Sequence, residues 1–237
     1  LQYVEMRIQP GVSAIGEAGA MVYMDEGIQM VSKLSDGSDQ HKGVLGSLLG
    51  AGKRYFTGEN MFMTFFTNKV NDVRQACFSS PYPGSIVPLD LAKYGGKVLC
   101  QKDAFICATE GVAINIGFTK RLTAGLLGGE GFILQKLEGD GTAFIHAGGS
   151  IIERELAPGQ HLYVDSGSIA GFEGSVDFNI EMLKGIRSMF FSGESMFLAT
   201  LTGPGKVWLQ SLPYERFLAP VVEGVESAVQ KSLKKNK

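Results

Sequence analysis

Three glutamates at repeated positions are the residues whose spacing points most clearly to chemistry. Glu59, Glu130 and Glu194 each follow a glycine, and those glycines at 58, 129 and 193 lie 71 and 64 residues apart. Brought together in an oligomer, the carboxylates would form a charged ring that binds a cation or a basic partner. Alternatively, each carboxylate accepts hydrogen bonds from backbone N–H groups at a glycine turn and so fixes the start of a strand. We favour this structural interpretation.

The three histidines lack the spacing of a metal site. His41, His146 and His161 are 105 and 15 residues apart, and the sequence contains no His-x-His pattern. A site built from His146, His161 and Glu153 is conceivable, but no local motif supports it. We therefore predict no metal and no cofactor.

The three cysteines fit a reducing compartment. An odd number of cysteines in a chain of this length does not form a disulfide framework. Cys100 and Cys107, seven residues apart, could face each other across a hairpin, but the second pair of a zinc site is missing. Cys77 and Cys107 lie in apolar runs and are expected to be small core residues.

Two partial motifs of catalytic proteins fail at defining positions. The glycine-rich run before Lys53 has Ser47 where a phosphate loop needs glycine, and Arg54 where it needs serine or threonine. The run Gly193-Glu194-Ser195 resembles a nucleophile elbow, but Phe197 replaces the closing glycine. We predict no catalytic residues and a non-enzymatic protein.

Composition excludes several function classes. The chain has 237 residues, 44% hydrophobic and 19% charged, with a net charge of −2, which does not favour nucleic acid. Basic residues recur before each Gly-Glu pair, but stacking aromatics are irregular, so RNA binding is not expected. Without an apolar run long enough to span a bilayer or a signal-peptide pattern, we expect a cytoplasmic protein.

The elements that must position these residues are β-strands. Short apolar runs with period-two alternation recur along the whole chain, separated by turn residues, and glycine accounts for 32 positions. The clearest predicted hairpins are at Glu138–Gly141 and Thr202–Gly205. The sequence therefore predicts an all-β fold.

The strand pattern repeats three times. A second signature, an apolar strand ending in an acidic-glycine turn, precedes each Gly-Glu pair at residues 22–27, 106–111 and 163–167. We therefore predict three tandem β units with a C-terminal helix and basic tail. The predicted bounds are 1–96 (with two insertions), 97–156 and 157–213 for the units, and 214–237 for the helix and tail.

The C-terminal segment has a helical pattern. Pro220 is predicted in the first helical turn, and valines 221, 222, 225 and 229 fall on one face. This stripe is too short to cross a bilayer, and membrane contact has little support. We expect the helix to pack on the β body or on a neighbouring subunit.

The repeat resembles one family. The Gly-Glu strand starts and the segment from Phe78 to Leu91 are similar to bacterial (Aim24-like) proteins related to the altered-inheritance-of-mitochondria protein of eukaryotes. The resemblance implies three units like those of the tryptophan RNA-binding attenuation protein (TRAP-like), each a short double-stranded β-helix or jelly-roll-like sandwich. Because attenuation-protein units close into rings, it further implies a homotrimer and provides no catalytic residues.

Three functions remain open at this point. The first is a homotrimeric β-ring scaffold or binding protein whose ligand or protein partner is unknown. The second is a small-molecule or RNA-binding module resembling the attenuation protein, with clefts between units. The third, a cupin-like metalloenzyme, is the least supported.

Overall fold

The computed structural model describes residues 1–35, 61–120, 132–182 and 197–235. Over these residues the chain forms eighteen β-strands, four short 3₁₀ helices and one α-helix, α1 (Tyr214–Lys235). The prediction of an all-β fold with a C-terminal helix is confirmed. In the described part of the chain, no helix is both long enough and apolar enough to cross a membrane.

The strands fall into three successive sets of six. The first set is β1 (Tyr3–Ile8), β2 (Ser13–Gly16), β3 (Met21–Met24), β4 (Ile28–Ser35), β5 (Met61–Asn68) and β6 (Arg74–Ser79). The second set is β7 (Gly84–Asp90), β8 (Lys97–Gln101), β9 (Phe105–Ala108), β10 (Val112–Lys120), β11 (Phe132–Gly139) and β12 (Thr142–Gly148). The third set is β13 (Ile151–Leu156), β14 (His161–Asp165), β15 (Ile169–Glu173), β16 (Asp177–Met182), β17 (Phe197–Thr202) and β18 (Gly205–Gln210).

Each set divides its strands between two sheets in the same way. The first, sixth and third strands form one three-stranded group, and the fourth, fifth and second form the other. Neighbouring sets share a sheet, because β2 pairs with β9 and β8 pairs with β15. The resulting sheets are sheet A (β1-β6-β3), sheet B (β4-β5-β2-β9-β12-β7), sheet C (β10-β11-β8-β15-β18-β13) and sheet D (β14-β17-β16).

The cores lie between successive sheets. One buried cluster joins sheets A and B through Phe66 and Phe78, whose rings meet edge to face at 5.0 Å between centroids. A second joins sheets B and C around Trp208, and a third joins sheets C and D around Phe172. Alternation produces these cores, since β1 exposes one residue and buries the next along its whole length.

One β-bulge recurs in every set. A short 3₁₀ helix runs directly into β3, β9 and β15, and each of these strands then skips one residue against the last strand of its set. The skipped residues are Val22, Ile106 and Ala170. Because a bulge increases local twist, it turns the strand at the same point in all three sets.

Two predicted hairpins are wrong. The turn at Glu138–Gly141 joins β11 to β12, but β11 belongs to sheet C and β12 to sheet B. The turn at Thr202–Gly205 likewise joins β17 in sheet D to β18 in sheet C. Gly139 and Gly205 have φ of +132° and +138°, and these conformations turn the chain out of one sheet and into the other.

The C-terminal helix differs from its predicted form. It begins at Tyr214, so Pro220 lies inside the helix rather than in its first turn. Val221, Val222, Val225 and Val229 each keep at least half of their surface exposed. Packing of this stripe on the chain's own β body is therefore wrong at these valines, and packing on a neighbouring subunit stays a prediction.

Gly139→Ala tests the turn between sheets. An added Cβ would overlap the Gly111 carbonyl and would also force alanine into positive φ. We expect the free energy of unfolding to fall by about 3 kcal/mol, measured by urea denaturation. Gly159→Ala is the matched control: its φ is +73° with open space around it, so only the strain of about 1 kcal/mol applies. Equal losses for both variants would contradict the packing argument.

Deleting the residues after Leu218 tests the exposed valine stripe. If a neighbouring subunit covers the stripe, we expect the truncated chain to lose oligomer mass in light scattering or to melt at a lower temperature, because apolar contact area is lost. A truncated chain that keeps both values but no longer binds anionic vesicles, which the full chain binds, would instead show that the stripe contacts membranes.

Candidate functional site

Two strand edges depart from the repeated pattern. In the first and second sets, the second strand pairs with the third strand of the next set, as β2–β9 and β8–β15. By the same rule, β14, the second strand of the third set, would pair with the third strand of a following set. Likewise β3, the third strand of the first set, would pair with the second strand of a preceding set. Among the described strands, β3 and β14 are each paired on one side only.

The other sheet edges follow a different rule. The first strand of each set ends a sheet, and so does the fourth strand. These edges are equivalent across the three sets, so they are a regular feature of the repeat. Of the strands in residues 1–35, 61–120, 132–182 and 197–235, only β3 and β14 are sheet ends whose counterparts in the other sets lie inside a sheet. We call them the two junction edges.

Burial differs sharply between the junction edges and their internal counterparts. All four residues of β9 are buried, as are the first four of β15. In β3 the side chains of Val22, Tyr23 and Met24 are instead 59%, 40% and 37% exposed. Tyr163 of β14 is 65% exposed. The junction edges thus present apolar side chains to water where the equivalent strands bury theirs.

Three polar side chains of these edges, those of Tyr23, His161 and Asp165, already have partners within the chain. The Tyr23 hydroxyl donates to Glu5 Oε2 at 2.6 Å, and this bond raises the pKa of Tyr23 to about 12. His161 Nδ1 lies 3.0 Å from Thr202 Oγ1. Arg216 of α1 donates to Asp165 Oδ2 at 3.0 Å. Strand β3 contains no charged residue or proline, the usual protections of an exposed edge.

A half-buried acid lies at the first internal junction. Glu17 follows β2, and its N–H donates to the Ile106 carbonyl at 3.2 Å. Burial raises the pKa of Glu17 to about 7, with a further rise from Asp103 and an opposing effect from Lys102. Sequence reasoning missed this residue, since its environment depends on residues 85 and more positions away and no local motif marks it.

His146 is the most buried histidine of the described chain. Its ring is 2% exposed and packs edge to face on Tyr82, with 4.5 Å between centroids. Burial lowers the pKa of His146, because it disfavours the charged ring. A Cβ at Gly84 would overlap the ring, so glycine is required there to admit it. His146 is therefore part of the core.

The structure does not bring the considered metal ligands together. His161 is exposed on β14, while Glu153 on β13 accepts a bond from Lys206 at 3.3 Å. Throughout the described ranges, no group of three or more His, Cys, Asp or Glu side chains could hold a metal ion.

The cysteines are core residues. Cys77, Cys100 and Cys107 are all free and buried, as predicted for Cys77 and Cys107. The suggested approach of Cys100 to Cys107 across a hairpin is wrong, because Cys100 lies in sheet C and Cys107 in sheet B. Burial raises the pKa of each thiol, so the reactive thiolate is disfavoured.

One cavity lies between the first and second sets. It has a volume of about 510 Å³ and is open to solvent. Its lining comes from the first residues of the chain on one side and from β7 and β12 on the other. The lining residues are Leu1, Gln2, Tyr3, Val4, Glu5, Ile86, Pro88 and Phe144.

The three repeated glutamates lie outside the described residues. Glu59, Glu130 and Glu194 fall in the segments 36–60, 121–131 and 183–196. Each of these segments connects the fourth and fifth strands of its set, which pair with each other. Both the carboxylate ring and the turn-fixing role stay predictions.

Glu17→Gln tests the half-buried acid through the pH dependence of stability. A raised folded-state pKa means that protonated Glu17 stabilises the fold fully below pH 4.5, and that this stability is lost as pH rises through about 7. We expect Glu17→Gln to increase the free energy of unfolding by about 1 kcal/mol at pH 8 and to change it little at pH 5. Urea denaturation at both values measures this. Exposed Glu155→Gln is the control, and a gain that is equal at both pH values would contradict the assignment.

Comparison with known proteins identifies the family. The family model described as Mitochondrial biogenesis AIM24 matches residues 1–212. The crystal structure of protein SPYM3_0169 from Streptococcus pyogenes is similar, with 24% identity, a TM-score of 0.69 and 93% of each chain covered. At this identity the likeness concerns the fold alone. No curated protein matches the chain. With every described strand inside the matched range, the chain belongs to the AIM24 family.

Proposed function

We propose that the protein is a non-enzymatic scaffold whose chains join through their junction edges into a homo-oligomeric β ring. The observation that carries the proposal is that β3 and β14 are exposed while their counterparts β9, β15, β2 and β8 pair with each other. This strand pairing forms twice within one chain. A third pairing of the same kind, between β14 and β3, can form only between two chains.

The edges favour a closed assembly over a simple dimer. Because β3 and β14 are different surfaces, chain-to-chain pairing is head to tail, and a head-to-tail contact forms either a ring or an open filament. A ring leaves no junction edge unpaired, which removes the hazard of an apolar edge. We propose three chains, so that nine sets of the attenuation-protein type close the ring.

The repeating unit of this proposed ring is the set of six strands. They begin at β1, β7 and β13, which is earlier than the boundaries 96/97 and 156/157 expected from the sequence. The reason is that β7 and β13 pair along their whole length with β12 and β18, the last strands of the sets that they open. Each set is then a sandwich of two three-stranded groups with its own core.

Apolar burial supplies the driving force for assembly. Val22, Tyr23, Met24 and Tyr163 are the large exposed side chains of the two edges. Burying a large apolar side chain completely contributes about 1.5–3 kcal/mol. Association costs translational and rotational entropy, which backbone pairing must overcome. Partial burial of these four side chains contributes a free energy of the size needed to help it do so.

Tyr163→Lys tests the proposed scaffold. Light scattering of the unaltered chain is expected to report a mass near three chains. A lysine at 163 places a charge in the junction, so we expect dissociation toward the monomer at micromolar concentration. Tyr3→Lys is a matched control, because Tyr3 is 66% exposed and lies on β1, away from both junction edges. An unaltered chain that is monomeric would contradict the proposal.

A small-molecule binding module is the second candidate. The cavity between the first and second sets favours it, because it combines apolar walls with the polar groups of Gln2 and Glu5. One of these groups, Gln2 Oε1, already accepts a bond from the Ile86 N–H at 2.5 Å. Native mass spectrometry of the purified protein would reveal a bound compound, and Phe144→Ala should weaken its retention if this cavity holds it.

A further inference from the structure

Between one set and the next, equivalent residues of the two kinds of junction strand differ by the same number of positions. Ile15 and Leu99 are 84 residues apart, as are Met24 and Ala108. Leu99 and Tyr163 are 64 residues apart, as are Ala108 and Phe172. The recurring bulge supports this alignment independently, since Met24, Ala108 and Phe172 each lie two residues beyond the skipped position.

The two internal junctions have the same register under this alignment. At the first junction Ile15 lies opposite Ala108, and Gly16 lies opposite Cys107. At the second, Leu99 lies opposite Phe172, and Cys100 lies opposite Gly171. The same two positions of the second strand therefore meet the same two positions of the third strand in both cases. The third junction has counterparts for all of them.

We infer that β14 of one chain pairs antiparallel with β3 of the next chain, with Tyr163 opposite Met24 and Val164 opposite Tyr23. This inference rests on the proposed ring and names the contact that closes it. The partner is a second copy of the same chain. The contact extends sheet D of one chain into sheet A of the next, which yields a six-stranded sheet with the strand order of sheets B and C.

The side chains at these positions suit the pairing. The apolar pairs at the internal junctions are isoleucine with alanine and leucine with phenylalanine, and Tyr163 with Met24 continues the series. A methionine sulfur against an aromatic ring is a favourable contact. Residues directly opposite in an antiparallel pair bring their side chains together, so both exposed groups would be covered at once.

Tyr23 is held clear of the tight backbone contact. The cross-strand row Glu5, Cys77 and Tyr23 runs over sheet A, and the hydroxyl of Tyr23 bonds Glu5 at its far end. This bond ties the tyrosine side chain to the far end of the row, and Cys77, the middle residue of the row, is 3% exposed. The internal junctions have cysteine or glycine at this position, and the bond to Glu5 lets the larger tyrosine take its place.

Disulfide trapping of the full chain tests the register. We expect the double variant Met24→Cys/Tyr163→Cys to form chain-to-chain disulfides on mild oxidation, giving covalent species of up to three chains on a non-reducing gel. Opposed residues of a strand pair lie within the 4.4–6.8 Å between Cα atoms that a disulfide requires. The native cysteines are buried, so the background is low. Both substituted positions are exposed. A light-scattering mass of the reduced double variant equal to that of the unaltered chain would show that the variant still assembles.

Matched variants separate the alternatives. Val22→Cys/Tyr163→Cys is the register control, two residues off and out of disulfide reach, and we expect at least a tenfold lower yield. Each single variant should give no cross-linked species, because in head-to-tail pairing neither position meets itself. Cross-linking of Met24→Cys or Tyr163→Cys alone would show pairing of identical edges and would overturn the inference.

The outcomes also distinguish this inference from the proposed function. A mass near three chains without cross-linking of the matched pair, or with preferential cross-linking of the register control, would overturn the register and leave the ring standing. A monomeric unaltered chain would overturn both. Efficient cross-linking of the matched pair alone, together with the trimer mass, would support both.

Discussion

Backbone pairing between one set of strands and the next is the interaction on which the rest of the structure depends. A set supplies two three-stranded groups, and a group of this size is completed when β2 meets β9 or β8 meets β15. The N–H and C=O groups along a strand must be paired wherever water is excluded. The shared sheets B and C therefore hold the three sets in one continuous body, with a core between each pair of successive sheets.

The recurring bulge explains how one strand can pair with strands of two different sets. β9 pairs with β12 of its own set on one side and with β2 of the preceding set on the other. Skipping Ile106 rotates the strand locally, so that it aligns with both neighbours. Because the same skip occurs in β3, this strand has the geometry of a central strand while lying at a sheet end. That mismatch, together with its exposed apolar side chains, distinguishes β3 from an ordinary edge.

The sequence made the presence of the strands predictable, but not their pairing. Alternation marks β1 directly, since it follows from which face the strand buries. The turn at Gly139 looks the same in the sequence whether its two strands share a sheet or not, so a hairpin was expected where the chain crosses between sheets. Likewise the pKa of Glu17 is raised first by burial and then by the distant Asp103, and the extent of α1 before Pro220 has no strong local signal.

The candidate site, like the strand pairing, could not be predicted from local sequence, and the reason concerns the kind of function that the fold supports. Residue types directed attention to histidines, cysteines and repeated glutamates, yet the described histidines and cysteines serve the core or the surface. The junction edges are marked by ordinary apolar residues such as Val22 and Tyr163, which no motif would select. They stand out only against their buried counterparts, after the strand order is known. A function that depends on completing a repeated strand pairing is therefore recognised by comparing equivalent strands of the three sets and finding the ones that lack the pairing.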